Sequence, residues 1–78
     1  MNIKRSEMQI YDFTVPELDK FRELCNFSND ELEYFNLRAK HKSNICISME
    51  MNVSEAQVSK LARRVKDKII RVIPFIQI

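Results

Sequence analysis

The strongest constraint on this chain is a set of helix starts. A Ser or Thr at an N-cap accepts a hydrogen bond from one of the N–H groups a helix leaves unpaired. A Glu or Gln three residues on can return a bond to the cap's own N–H. Thr14-Val15-Pro16-Glu17 has this pattern, with Pro in the first turn, where its missing N–H costs nothing. Ser28-Asn29-Asp30-Glu31 repeats it, with Phe27 and Leu32 spaced as a hydrophobic staple. Ser54-Glu55-Ala56-Gln57 is a third box, stapled by Val53 and Val58, and Ser43 caps a further short helix. Four such starts in 78 residues predict an all-α fold of four helices.

Apolar periodicity sets the extents. Leu18, Phe21 and Cys25 predict a first helix over 14–25. A second, over 28–40, carries Leu32, Phe35 and Ala39 on one face and Tyr34 and Leu37 on another, as a helix packed between neighbours does. The third carries Ile47 and Met51. The fourth, over 54–72, has Val58, Leu61, Ala62, Val65, Ile69 and Val72 as its stripe, and Pro74 stops it. The domain is thus 14–72, with an N-terminal arm over 1–13 and an apolar tail over 73–78. Met8–Phe13 and Val72–Ile78 are β-prone or simply apolar, and Ile69–Ile78 holds seven Ile, Val or Phe residues in ten. Such a segment either packs back on the helices or docks on a second copy.

Seventy-eight residues form one domain, and a core of that size rarely supplies more than about 3–5 kcal/mol, so a dimer partner would help. A chain 45% apolar and 31% charged is a folded domain, without a membrane-length apolar run or a signal peptide, and a cytoplasmic location is expected. Cys25 and Cys46 stand 21 residues apart beside a single His, too few ligands for zinc, so reduced thiols and no metal or cofactor are expected. The chain has no Gly-rich phosphate loop, HExxH or nucleophile elbow, and His41 lacks an acidic orienter, so no enzyme is expected. Charge is unevenly spread: residues 1–39 carry five basic and eight acidic groups, net −3, and residues 40–78 eight and three, net +5. A basic half points to an anionic partner.

The chain has no glycine, and Asn52 stands where a sharp bend between the last two helices calls for positive φ. Ile47 and Met51 before it, and Val53, Val58 and Leu61 after it, are all aliphatic or Met, with Ser48 as a small residue for close approach. This predicts a helix-turn-helix, against the plainer alternative of a helix–loop–helix in a bundle.

Residues 27–69, "FSNDELEYFNLRAKHKSNICISMEMNVSEAQVSKLARRVKDKI", resemble the DNA-binding domain of LuxR-type response regulators and region 4 of bacterial sigma factors. The likeness rests on Phe27-Ser28, the helix Glu31 to Leu37, Ser43-Asn44, Ile47-Ser48, Val53-Ser54-Glu55 with Val58, and the end Arg64, Lys66, Lys68 and Ile69, and it covers 43 of the 78 residues. The family's turn Gly is Asn52 here, the Gly before Ser-Asn is His41, and the Ala beside Ile47 is Ser48. The resemblance implies a DNA-binding domain of bacterial or phage origin. No receiver or ligand-sensing domain precedes the match, and the other sigma regions are absent, so a stand-alone domain is expected.

Winding the fourth helix at about 100° per residue, with Val58, Leu61, Val65 and Ile69 inward, turns Ala56, Lys60, Arg63, Arg64, Asp67 and Arg71 outward. Residues 54–72 carry six basic and two acidic groups, net +4. Ala56, Gln57, Lys60 and Arg64 are assigned to base edges. Ser59, Arg63, Lys66, Lys42 and Ser43 are assigned to phosphates. Lys66 and Lys68 are the cations most readily read as merely solvated. The expected function is a sequence-specific transcription regulator on double-stranded DNA, a homodimer through Ile69–Ile78 with recognition helices about 34 Å apart. The second reading is a sigma-like protein-interaction module that binds RNA polymerase or another regulator.

Overall fold

The computed structural model describes residues 9–75 and is all-α. Four helices follow in order: α1 (Val15–Leu24), α2 (Asn29–Ala39), α3 (Asn44–Met51) and α4 (Glu55–Val72). Short 3-10 turns lie at Ile10–Asp12 and Ile73–Phe75. Each helix starts at the predicted cap: Thr14, Ser28, Ser43 and Ser54 all sit in extended backbone, their hydroxyls accepting from the N–H three residues on. Reciprocal boxes close at Thr14–Glu17 and Ser28–Glu31. At Ser54 only the serine half is made. A Glu carboxylate makes a charge-assisted bond to the cap N–H, whereas the neutral Gln57 amide makes one about half as strong, which is less of a hold on its side chain.

Three helices end in left-handed residues, none of them Gly: Asn26 follows α1 (φ 54°), His41 follows α2 (φ 66°) and Asn52 follows α3 (φ 57°). At Asn52 the chain makes a Schellman closure. Its N–H donates to the Met49 carbonyl (3.3 Å), and the Val53 N–H donates to the Ser48 carbonyl (3.0 Å). His41 repeats it, with His41 N–H to Arg38 O (3.0 Å) and Lys42 N–H to Leu37 O (3.2 Å). Only Asn52, Val53 and Ser54 separate α3 from α4.

The core is built where these helices cross. Phe21, Tyr34, Phe35, Ile47, Val58, Leu61, Val65 and Ile69 are almost wholly buried, at 2% exposure or less. Phe35 is its aromatic hub, edge-on to Phe21 (6.4 Å between centroids) and tilted against Phe27 (5.0 Å). The residues expected to seal the α3–α4 angle do so: Ile47, Val58 and Leu61 are buried, and Met51 and Val53 pack against them. Ser48, 8% exposed, donates its hydroxyl to the Ile45 carbonyl (2.7 Å), satisfying it inside the helix.

The ends differ from a simple arm and tail. Residues 10–12 form a 3-10 turn rather than extended chain, and Ile10 is completely buried in the core. Phe13 meets Phe21 edge-on at 4.8 Å. A β-prone composition decides little in the absence of a sheet edge to pair with, and burying Ile10 against α2 is favourable in any backbone state. At the other end Ile69 is buried, and Ile70, Val72 and Ile73 pack against the core. Of the two alternatives for this stretch, packing back accounts for residues 69–73. Met8 and residues 76–78, the end of the stretch expected to dimerise, lie outside the described residues. Cys25 is buried and Cys46 half-buried, both free thiols.

Candidate nucleic-acid interface

Helix α4 is the most strongly two-sided element. Val58, Leu61, Val65 and Ile69 are buried, while Ala56, Ser59, Lys60, Arg63, Arg64, Asp67 and Arg71 are exposed. Gln57 and Lys66 are half-buried at the margin. Ser59, Lys60, Arg63 and Arg64 line an open furrow of about 400 Å³. All four belong to one convex helix, so the furrow runs between side chains and is no enclosed cleft. Among the described residues no carboxylate pairs with Lys60, Arg63 or Arg64; the ion pairs are Lys20–Glu23, Arg22–Asp19 and Lys68–Glu31. Their charge is available to an external anion. Ala56 and Gln57 extend the same helix one turn toward Ser54, and with the second half of its box unmade, Gln57 does not return its amide to the cap.

Lys42 and Ser43 sit on a different element, the α2–α3 corner. Ser43 is exposed, and its Oγ accepts from the Cys46 N–H (3.1 Å), leaving the hydroxyl proton to donate elsewhere. Lys42 is half-buried, and its carbonyl accepts from Arg38 Nη1 (2.7 Å). The same Arg38 guanidinium lies over the Tyr11 ring (5.1 Å to the centroid), and Tyr11 stacks on His41 (4.3 Å). Arg38 and Tyr11 thus brace the corner from which Lys42 and Ser43 project. Sequence spacing offers Arg38–Lys42 as neighbours four apart, but nothing in it points to Tyr11. His41 is exposed and left-handed beside that ring.

Lys68 is a correction. Expected as a solvated cation, it meets Glu31 Oε1 at 2.5 Å and the Asn26 carbonyl at 3.1 Å. Glu31 is itself 5% exposed and accepts from the Ser28 N–H at 2.9 Å through the same oxygen. The physical reason lies in helical position. Lys68 is three residues after Val65 and seven after Leu61, at the edge of the buried stripe, where its stem covers apolar surface and its ammonium reaches the α1–α2 corner. Burial pushes the Glu31 carboxyl up, but the Lys68 ammonium and the Ser28 bonds outweigh it and hold it below the usual carboxylate range. Burial pushes the Cys25 thiol up to about 11, against a smaller lowering by Lys68. Burial likewise raises the Tyr34 phenol, with Arg38 opposing. Cys46 Sγ lies 4.0 Å from Glu50 Oε2.

Chemically, the α4 face offers ammonium and guanidinium donors, hydroxyls, an amide and a methyl group. No cluster of His, Cys, Asp or Glu able to hold a metal exists among the described residues. No helix among them is long and apolar enough to cross a membrane. The face can bind a polyanion and hydrogen-bond to planar acceptors.

No family model, no curated protein and no solved structure matches the chain.

Proposed function

We propose that this chain is a sequence-specific regulator of transcription that binds double-stranded DNA, with the N-terminal turns of α4 in the major groove. The observation that carries the proposal is the solvent face of α4. Exposed Lys60, Arg63 and Arg64, without a carboxylate partner among the described residues, stand beside Ala56, Gln57 and Ser59 after a three-residue turn that opens on left-handed Asn52. The resemblance to LuxR-type and sigma region 4 domains supports the same assignment. A cytoplasmic location belongs to this reading.

The major groove admits an α-helix. From Gln57 to Arg64 the helix rises about 10 Å, the length of about three base pairs. Gln57 addresses adenine through its amide, Arg64 and Lys60 guanine through O6 and N7, and the Ala56 methyl meets a thymine methyl. Arg63, Ser59 and Lys66 hold phosphates beside the groove, with Lys42 and Ser43 on a neighbouring phosphate. Two copies would read a palindromic site, and a homodimer through the C-terminal stretch Ile69–Ile78 belongs to this reading.

A second reading has its own observation. On α3, Ile45 is 60% and Met49 74% exposed, an apolar pair one turn apart facing solvent. A sigma-like module that docks on RNA polymerase or another regulator would use such a pair, and would bind DNA weakly and without sequence preference. Selection from a randomised duplex pool, followed by titration at two salt concentrations, separates the two. The DNA regulator enriches a motif, and Lys60→Ala with Arg64→Ala abolishes the enrichment. An unenriched pool, with binding unchanged in that double variant, overturns the DNA reading.

A further inference from the structure

We infer that Lys68 is a positioning residue for DNA readout: its contacts with Glu31 and Asn26 set the angle of α4 against the α1–α2 corner, so that base and phosphate contacts fall in register. This rests on the DNA-binding reading above. The hydrogen bonds and ion pair of Lys68 go to Asn26 and Glu31, neither of which is assigned to DNA.

Three observations converge on it. The ammonium bridges two separate features of the corner, the Glu31 carboxylate that closes the α2 capping box and the carbonyl of left-handed Asn26. Both acceptors are held by local structure that does not involve α4, Glu31 by its bonds with Ser28 and Asn26 by the end of α1. The contact also spans 37 residues of sequence and joins the far end of α4 to the start of α2.

Apolar contacts along Val65 and Ile69 hold α4 against its neighbours but tolerate small rotations, because dispersion and hydrophobic terms are not directional. A two-acceptor ammonium bridge is directional. Gln57 lies eleven residues, or about 16 Å, from Lys68 along the helix, so a tilt of about 10° about Lys68 moves it by about 3 Å. Hydrogen bonds to base edges tolerate only a few tenths of an ångström. The phosphate anchors Lys42 and Ser43 belong to the α2–α3 corner, so the angle between α2 and α4 decides whether both sets of contacts form together. Buried ion pairs often add little to stability over an apolar pair, and their best-attested use is to select one arrangement.

The test uses the full chain with Glu31→Gln and Lys68→Met combined, which removes both charges, keeps the apolar stem and leaves the Ser28 N–H the weaker acceptor of an amide. Thermal midpoint, affinity for random duplex with its salt slope, and affinity for the selected motif are measured for the wild type, the double variant and Lys68→Arg. The expected result is a midpoint and random-duplex affinity close to wild type, with the motif-to-random ratio down about tenfold, the loss of roughly one bidentate base contact. Lys68→Arg restores the ratio. If the double variant does not fold, Lys68→Gln carries the same measurement. A motif enriched by the wild type and retained at full ratio by the variants overturns this inference alone. A wild-type chain that enriches no motif overturns the DNA reading, and this inference with it.

Discussion

Removing Lys68 alone tests the ion pair's energetics without reference to DNA. Lys68→Met deletes the ammonium and leaves Glu31, 5% exposed, with the Ser28 N–H as its remaining donor. Deleting one partner of a fully buried pair costs about 3–5 kcal/mol. The Lys68 side chain is 28% exposed, so water reaches its side of the contact and the cost falls to about 2 kcal/mol. In a domain of this size that lowers the thermal midpoint by about 8–16 °C. The pH dependence has a definite sign. In the wild type the Glu31 carboxyl is held below its ordinary value, so its contribution is present above the unfolded value of about 4.3 and is lost as pH falls through the folded one. In Lys68→Met burial is opposed by the Ser28 bonds alone, so the carboxyl titrates higher than it does in the wild type. Protonation on acidification then relieves the unpaired charge in the variant first, and the gap between variant and wild type narrows as pH falls through the carboxylate range toward the wild type's lowered value. Far-ultraviolet circular dichroism melts across that range measure the gap. A gap independent of pH, or below about 0.5 kcal/mol at neutral pH, would refute the assignment of a charged, buried contact.

Three further outcomes are expected. Asn52→Ala puts a Cβ-bearing residue without a compensating side-chain bond at φ 57°, and costs about 1 kcal/mol, a midpoint drop of about 4–8 °C, while Asn52→Gly stays near wild type. A thiol-reactive probe at neutral pH labels half-buried Cys46 in the folded chain, whereas Cys25, buried with its thiol raised to about 11, labels only after unfolding; equal labelling rates would contradict the core assignment. Random-duplex binding titrated with salt has a logarithmic slope of about −2.7 per chain from Lys42, Arg63 and Lys66 on phosphates, and Arg63→Ala reduces it by about one unit.

What was legible in the sequence is what is local. Caps at Thr14, Ser28, Ser43 and Ser54 act over three residues, so their helices start where the hydroxyls stand. The αL turn at Asn52 and the stripe Val58, Leu61, Val65, Ile69 are local in the same sense. The α4 polar face follows from that stripe by rotation alone, which is why Lys60, Arg63 and Arg64 are exposed as expected. What was not legible is set by the tertiary fold. Lys68 and Glu31 are 37 residues apart, and no spacing rule pairs them. Tyr11 reaches Arg38 and His41 only because residues 10–12 fold back onto α2. Asn26 resembled any polar residue after a helix until its left-handed backbone aimed its carbonyl at Lys68. The third capping box failed on a chemical difference, amide against carboxylate, that the spacing rule ignores.

Reading of DNA by α4 is open to direct measurement in solution. Backbone and side-chain resonances of the labelled chain, titrated with the duplex selected from the randomised pool, test it residue by residue. Perturbations are expected at Ala56, Gln57, Lys60 and Arg64, with a second set at Lys42 and Ser43, and little change at Ile45 and Met49. Perturbations confined to α3 around Ile45 and Met49, with α4 silent, would contradict it.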